Sequence, residues 1–269
     1  AEELVGSTTA MREALNGICE EDYLDDDLDP EPHHDEPLDA PHHAHAHALP
    51  HEGGLGSSAG APPPHLSAEA QAEAAVAELE LIVTVLNGLV YTYDLHRAAC
   101  LDGGLPPLLS LLSEATPAQL QEQALQLLHN AFFSPDSAAQ LRAAEAGGIE
   151  RVAHVAARAH AAGSADALGV ALSVLSLFTH GSAENCERFG ALADALGLTV
   201  EVAMGPSHSE ARVPACELFV GLVETVEVEA RRTLERAGGR SCLEAIAGAS
   251  DIGDALAARA KVALQSWAR

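Results

Sequence analysis

Apolar positions recur at helical spacing from about Ala68 to the end of the chain. In Ala215, Leu218, Phe219, Leu222, Val223 and Val226 the steps follow i, i+3, i+4, i+7, i+8 and i+11, one face of a helix too apolar to stand alone in water. The same stripe occurs as Leu79, Ile82, Val83, Leu86, Leu89 and Val90, and again as Leu120, Ala124, Leu127, Leu128 and Ala131. Four short strings end these stripes: VLNGLVY, LLHNAFF, VLSLFTH and LFVGLVE. Their central residues are Gly88, Asn130, Ser176 and Gly221, spaced by 42, 46 and 45, and a further 45 lands on Ser266 in LQSWAR. Five copies of one helix are therefore expected, each burying its stripe against its neighbours.

Glycine punctuates the repeat. Gly103 and Gly104, Gly147 and Gly148, and Gly238 and Gly239 each follow a helical stretch, and Gly190 falls 43 residues after Gly147. The segments after the glycines, such as LPPLLSLL and IERVAHVAARAH, read as a second helix entered through a turn, with Pro106 or Pro107 suited to its first turn. Low aromatic content, 3%, with Ala and Leu dominant, fits helices packed through small side chains rather than a sheet.

The strings AACLDGGLPPLLSLL, QALQLLHNAFF and AAEAGGIERV resemble the armadillo repeat family, with the related HEAT type of helical pair as fallback. Armadillo units, in the range of about 40–47 residues, end in a long helix followed by a Gly turn. The resemblance covers roughly residues 68 to 269. It implies an all-α fold, a right-handed α-solenoid of about four to five repeats with a concave groove. Many armadillo proteins, importin-α and the catenins among them, carry an Asn on the last helix of successive repeats that holds the backbone of an extended peptide. Only Asn130 matches; Gly88, Ser176, Gly221 and Ser266 depart from the pattern, which weakens a ladder of that kind. The stretch LVYTYDLHRAACLDGG also resembles the first repeat of the armadillo-type nucleotide exchange factors of heat-shock-70 chaperones, whose solenoid grips a lobe of the chaperone without a catalytic group.

Residues 1–66 have different physics. From about Cys19 to Ser67 lie eight of the fourteen prolines and eight of the fourteen histidines, and residues 1–65 carry 15 acidic side chains against Arg12 alone. Such a composition cannot bury enough apolar area to fold and predicts a disordered acidic arm, with residues 67–269 as the folded unit. Within the arm, Met11, Ala14, Leu15 and Ile18 fall on one face of a short helix near residues 8–18, which either docks on a partner or folds back. His42, His43, His45 and His47 form a tract with metal-ligand chemistry, but irregular spacing on Pro and Ala flanks predicts weak binding at most.

Charge narrows the partner. Forty Asp and Glu against 14 Lys and Arg give −26, with Lys261 the sole lysine, which excludes the basic surface that nucleic acid needs and disfavours an anionic membrane. No uninterrupted apolar stretch approaches the roughly 18 residues of a membrane span, so no insertion is expected. Cys19, Cys100, Cys186, Cys216 and Cys242 are odd in number and contain no CxxC pair, as in a cytoplasmic or other reducing intracellular compartment; import into an organelle stays open for a chain that begins at Ala1.

No phosphate-binding Gly loop, GxSxG or HExxH occurs, and the six histidines from His96 to His208 share no repeat position, so neither an enzyme nor a cofactor is expected. The features that remain are binding features. Tyr91, Tyr93 and Arg97 cluster at the end of the first copy, where they serve either as interface anchors or as a cap on the open end of the stack. Arg232 and Arg236, at i and i+4, head the one basic stretch, with Arg231 and Arg240 beside them. With Asn130 these are the candidate partner-binding residues. The expected function is a protein-interaction module, or a scaffold or subunit of a larger assembly, facing a basic or neutral partner surface; the alternatives are a heat-shock-70 exchange factor and metal binding by the arm.

Overall fold

A computed structural model describes residues 8–13, 67–92, 94–133, 137–206, 209–226 and 228–267, together with Gly6 and Asn16. Among the described residues every regular element is a helix. The stripes read from the sequence lie on α2 (Ala68–Thr92), α5 (Ala118–Ala131), α8 (Ala165–Thr179), α11 (Arg212–Thr225) and α14 (Asp254–Trp267), preceded by the N-terminal helical stretch α1 (residues 8–13). Each of these five long helices packs on the next, forming one layer of a right-handed solenoid. Between them come a short helix and a second helix: α3 (Asp94–Gly103) and α4 (Leu105–Ser110), α6 (Ser137–Glu145) and α7 (Gly148–Ala161), α9 (Ala183–Gly190) and α10 (Ala193–Ala203), and α12 (Val228–Arg236) and α13 (Gly239–Gly248). The second helices α7, α10 and α13 pack on the long helices and on one another as the outer layer.

One continuous core runs through the stack, because each stripe is covered by the repeats on both sides. The stripe of α11 is fully buried, and Val226 closes it as the C-cap residue. Leu89 of α2 is only half-buried, while Leu81 and Val85 of that helix are exposed, since no earlier repeat covers the first long helix. Here α1 supplies part of the missing neighbour: Met11 is fully buried in the core, and the Arg12 guanidinium pairs with the Glu78 carboxylate of α2. The short helix expected near residues 8–18 thus folds back onto its own chain over the described residues. Sequence reading by uninterrupted runs also understated α2, which is long and apolar enough to cross a membrane by length and composition. Its buried positions Leu79, Ile82, Val83, Leu86 and Val90 nevertheless belong to the shared core.

Buried amides fix one junction between repeats. Gln140 of α6 donates to the carbonyls of Leu177 (2.7 Å) and His180 (3.2 Å), the open C-terminal end of α8. Asn185 of α9 donates to the Phe178 carbonyl (2.7 Å) and back to the Gln140 carbonyl (3.2 Å). Carbonyls at a helix end that would otherwise lie unpaired in the core are thereby satisfied.

Four thiols are free and buried: Cys100, Cys186, Cys216 and Cys242. Desolvation pushes them up from 9.0, to about 12 for Cys100 and Cys242 and to about 11 for Cys186 and Cys216. A thiol raised in the folded state contributes fully below its unfolded pKa and loses that contribution as pH rises toward the folded value. Stability measured by urea titration is expected to fall between about pH 9 and 12 more steeply than in a variant with the four cysteines replaced by Ala. Equal slopes would contradict the assignment of that loss to the thiols.

Candidate partner-binding face

The long helices α2, α5 and α8 present a row of side chains on the face that their own packing leaves open. Between α2 and α5 this face sinks into a pocket of about 430 Å³ lined by Tyr91, Arg97, His129, Asn130 and Phe133. Three of the residues singled out from sequence, Tyr91, Arg97 and Asn130, therefore meet in one place. Tyr91 is 77% exposed and Phe133 69% exposed, whereas Phe132, next along the chain, is 1% exposed and meets Phe178 edge-on with ring centroids 4.7 Å apart. Tyr91 and Phe133 lie 42 residues apart, the interval between Gly88 and Asn130, so they occupy equivalent places on successive repeats.

Asn130 is partly committed within the stack. Its Nδ2 donates to Oδ1 of Asn87 on α2 at 2.7 Å, and its Oδ1 stands 3.4 Å from Nε2 of Gln126. One amide hydrogen is engaged, leaving a second for a ligand. Asn87 escaped notice in the sequence because it sits one position before the Gly88 that aligns with Asn130. Phe133 was legible through its 42-residue spacing from Tyr91.

His129 continues the face into a second pocket, of about 230 Å³, lined also by Gln126, Asp166, Gly169, Val170, Ser173, Glu210 and Pro214. Asp166 opens α8 and Glu210 lies just before α11, and they come together because α8 and α11 pack side by side. The Asp166 carboxyl, through a shared hydrogen bond and its charge, raises the pKa of Glu210. Neither carboxyl pairs with an Arg, Lys or His among the described residues. Some carboxylates elsewhere do have partners across the repeats: Arg142 on Asp102 (2.9 Å), Arg188 on Glu150 (2.6 Å) and Arg259 on Glu224 (2.6 Å). Arg212, itself buried, pairs with Asp251.

The remaining candidates lie apart. Arg232 and Arg236 are exposed on α12, which packs on α13 and α9 rather than on the face just described. Of their basic neighbours, Arg231 donates to the Ser266 carbonyl at 3.1 Å and Arg240 pairs with Glu244 at 3.2 Å. Tyr93 and the tract His42, His43, His45 and His47 lie outside the described residues. Among the described residues no three His, Cys, Asp or Glu side chains are placed to hold a metal ion. His154 and His160, six apart on α7, reach different neighbours: His154 Nε2 stands 2.8 Å from Glu114, and His160 Nε2 stands 3.5 Å from Glu201. His154 ties α7 to the turn after α4 and His160 ties α7 to α10, so they do not act as a pair.

No protein-family model matches the chain. No curated protein matches it either. Solved structures do. A designed armadillo repeat protein, YIII(Dq)4CqI, superposes with a TM-score of 0.60 at 18% identity over 74% of this chain and 83% of its own. Computationally designed armadillo repeat proteins for modular peptide recognition give 0.59 at 18% identity over the same shares. A designed armadillo repeat protein in complex with the peptide (KR)4 gives 0.58 at 19% identity, again over 74% and 83%. The chain has an armadillo-like repeat fold, as the spacing of its stripes and glycines led one to expect.

Proposed function

We propose that this chain is a non-catalytic protein-interaction module, a scaffold or subunit of a larger assembly, that binds a segment of a protein partner along the open face of α2, α5 and α8. The observation that carries this reading is the pair Tyr91 and Phe133, two large aromatic side chains exposed at equivalent places on adjacent repeats and flanking one pocket. Aromatic rings cost little conformational entropy to immobilise and are common anchors of interfaces. A designed armadillo repeat protein of similar fold forms a complex with the peptide (KR)4, which supports a peptide-binding reading. The chain's acidity favours a basic or neutral partner, and its four free buried thiols suit a reducing compartment.

The test is capture from native extract with the intact chain, with Tyr91→Ser/Phe133→Ser, and with Arg151→Ser on the outer layer. Proteins held by the intact chain and by Arg151→Ser, and lost with the double variant, are expected. Retention by all three baits would sink the reading. The likeness of residues 89–104 to chaperone exchange factors gives the reading a second form, supported by the place of Tyr91 and Arg97 in the pocket. In that form the captured protein is a heat-shock-70 chaperone whose nucleotide release the chain accelerates. Weak metal binding by His42, His43, His45 and His47 is a separate reading, and a calorimetric titration lost on their replacement by Ala would support it.

A further inference from the structure

The open face is not chemically uniform. Its first pocket is walled by two exposed aromatic rings with a guanidinium and an imidazole between them; its second is bordered by two carboxyls that have no cation of their own among the described residues. His129 lines both pockets, so they form one path. We infer, resting on the peptide-binding reading above, that this path selects an extended partner segment carrying an apolar or aromatic side chain for the Tyr91–Phe133 pocket and, about five or six residues away, an Arg or Lys for Asp166 and Glu210.

The spacing follows from helix packing. Neighbouring helices sit about 8–10 Å apart, and an extended chain advances about 3.3 Å per residue, so the two steps from the α2–α5 pocket to the carboxyls where α8 and α11 meet correspond to about five or six residues. The demand for a cation follows from the carboxyls. Two carboxyls that share a proton repel each other when both ionise, which is why Glu210 holds its proton more tightly than usual. A guanidinium or ammonium placed between them removes that repulsion and donates a charge-assisted hydrogen bond to each carboxylate. Arg212, the nearest cation in sequence, is unavailable, since it is held by Asp251 and by the Ala203 carbonyl at 3.2 Å. A shorter or wholly acidic segment would satisfy one pocket at most.

Panning random linear peptides displayed on phage against the full chain tests this. The expected enriched motif pairs an aromatic or large aliphatic residue with Arg or Lys about five or six positions away. Tyr91→Ser/Phe133→Ser should erase the aromatic preference and keep the basic one, while Asp166→Asn/Glu210→Gln should do the reverse. A synthetic peptide of the enriched sequence should bind either double variant at least roughly tenfold more weakly than the parent chain. All four residues are exposed, so circular dichroism should show both variants fully folded. Enriched peptides that compete for the face but lack the paired motif would overturn this inference and leave the peptide-binding reading standing. Failure to enrich any peptide that these variants weaken would overturn both.

Discussion

Replacing Phe178 with Ala is expected to lower the free energy of unfolding by about 3–5 kcal/mol, among the largest losses available to a single substitution in this chain. Phe178 lies on α8, the middle of the five long helices, and is fully buried. Its ring meets Phe132, the C-cap residue of α5, edge-on at 4.7 Å, so one side chain joins two successive repeats. Such an aromatic pair adds about 0.5–1.5 kcal/mol beyond the area it buries. The backbone at the same spot holds Asn185 Nδ2 on the Phe178 carbonyl, which ties α9 to the end of α8.

Because a solenoid is stabilised through nearest-neighbour contacts, a cavity at this joint weakens coupling between the halves as well as the total. Urea unfolding of Phe178→Ala should show an earlier midpoint and a broader transition than the parent. Leu264→Ala, a half-buried position on the last long helix, should shift the midpoint less and leave the breadth unchanged. A Phe178→Ala loss below about 1 kcal/mol would mean that the joint is not held by this ring.

How far the sequence revealed this structure depends on whether a feature repeats. The five long helices were legible because each must bury a stripe against the next, and that requirement recurs every 42 to 46 residues. Pro106 and Pro107 stand in the first turn of α4 as expected, since proline there forfeits no helical hydrogen bond. Features that occur once were harder to read. Met11 lies on a short helix for which the sequence offers both docking on a partner and folding back, and it enters the core because the first repeat lacks a predecessor. Asp166 and Glu210 are 44 residues apart, within the repeat interval, but both lie at helix starts outside the apolar stripes by which the repeat is read. Asn87 and Asn130 meet across adjacent helices with a one-residue offset, which an alignment by burial passes over. The binding face was therefore legible at Tyr91, Arg97 and Asn130, and missed where helix packing alone brings residues together.

The glycine pairs provide the second large effect. Gly147 and Gly238 have positive φ, 78° and 85°, and each is followed by a glycine that begins a second helix. A Cβ on Gly239 would stand 2.6 Å from the Leu234 carbonyl oxygen and 3.0 Å from the Phe219 ring; on Gly148 it would stand 2.7 Å from the Ala143 carbonyl oxygen. The obstruction is backbone in both, so no rotamer change relieves it. Each pair therefore makes a turn in which the first residue supplies the left-handed conformation and the second lets the new helix start against the end of the old one. Two of the three double glycines seen in the sequence mark this joint; at the third, Gly103 ends α3 without positive φ and Gly104 is right-handed.

Gly239→Ala should cost about 1–3 kcal/mol through forced displacement of α13 from α12 and α11. Gly221→Ala, in the interior of α11 with open space at its Cβ, should instead be neutral or stabilising by up to about 1 kcal/mol. Thermal melts of the two variants are expected to move in opposite directions from the parent. A Gly239→Ala melt that matches or exceeds the Gly221→Ala melt would show that the turn has another way to close, and that the glycine pair marks the repeat without constraining it.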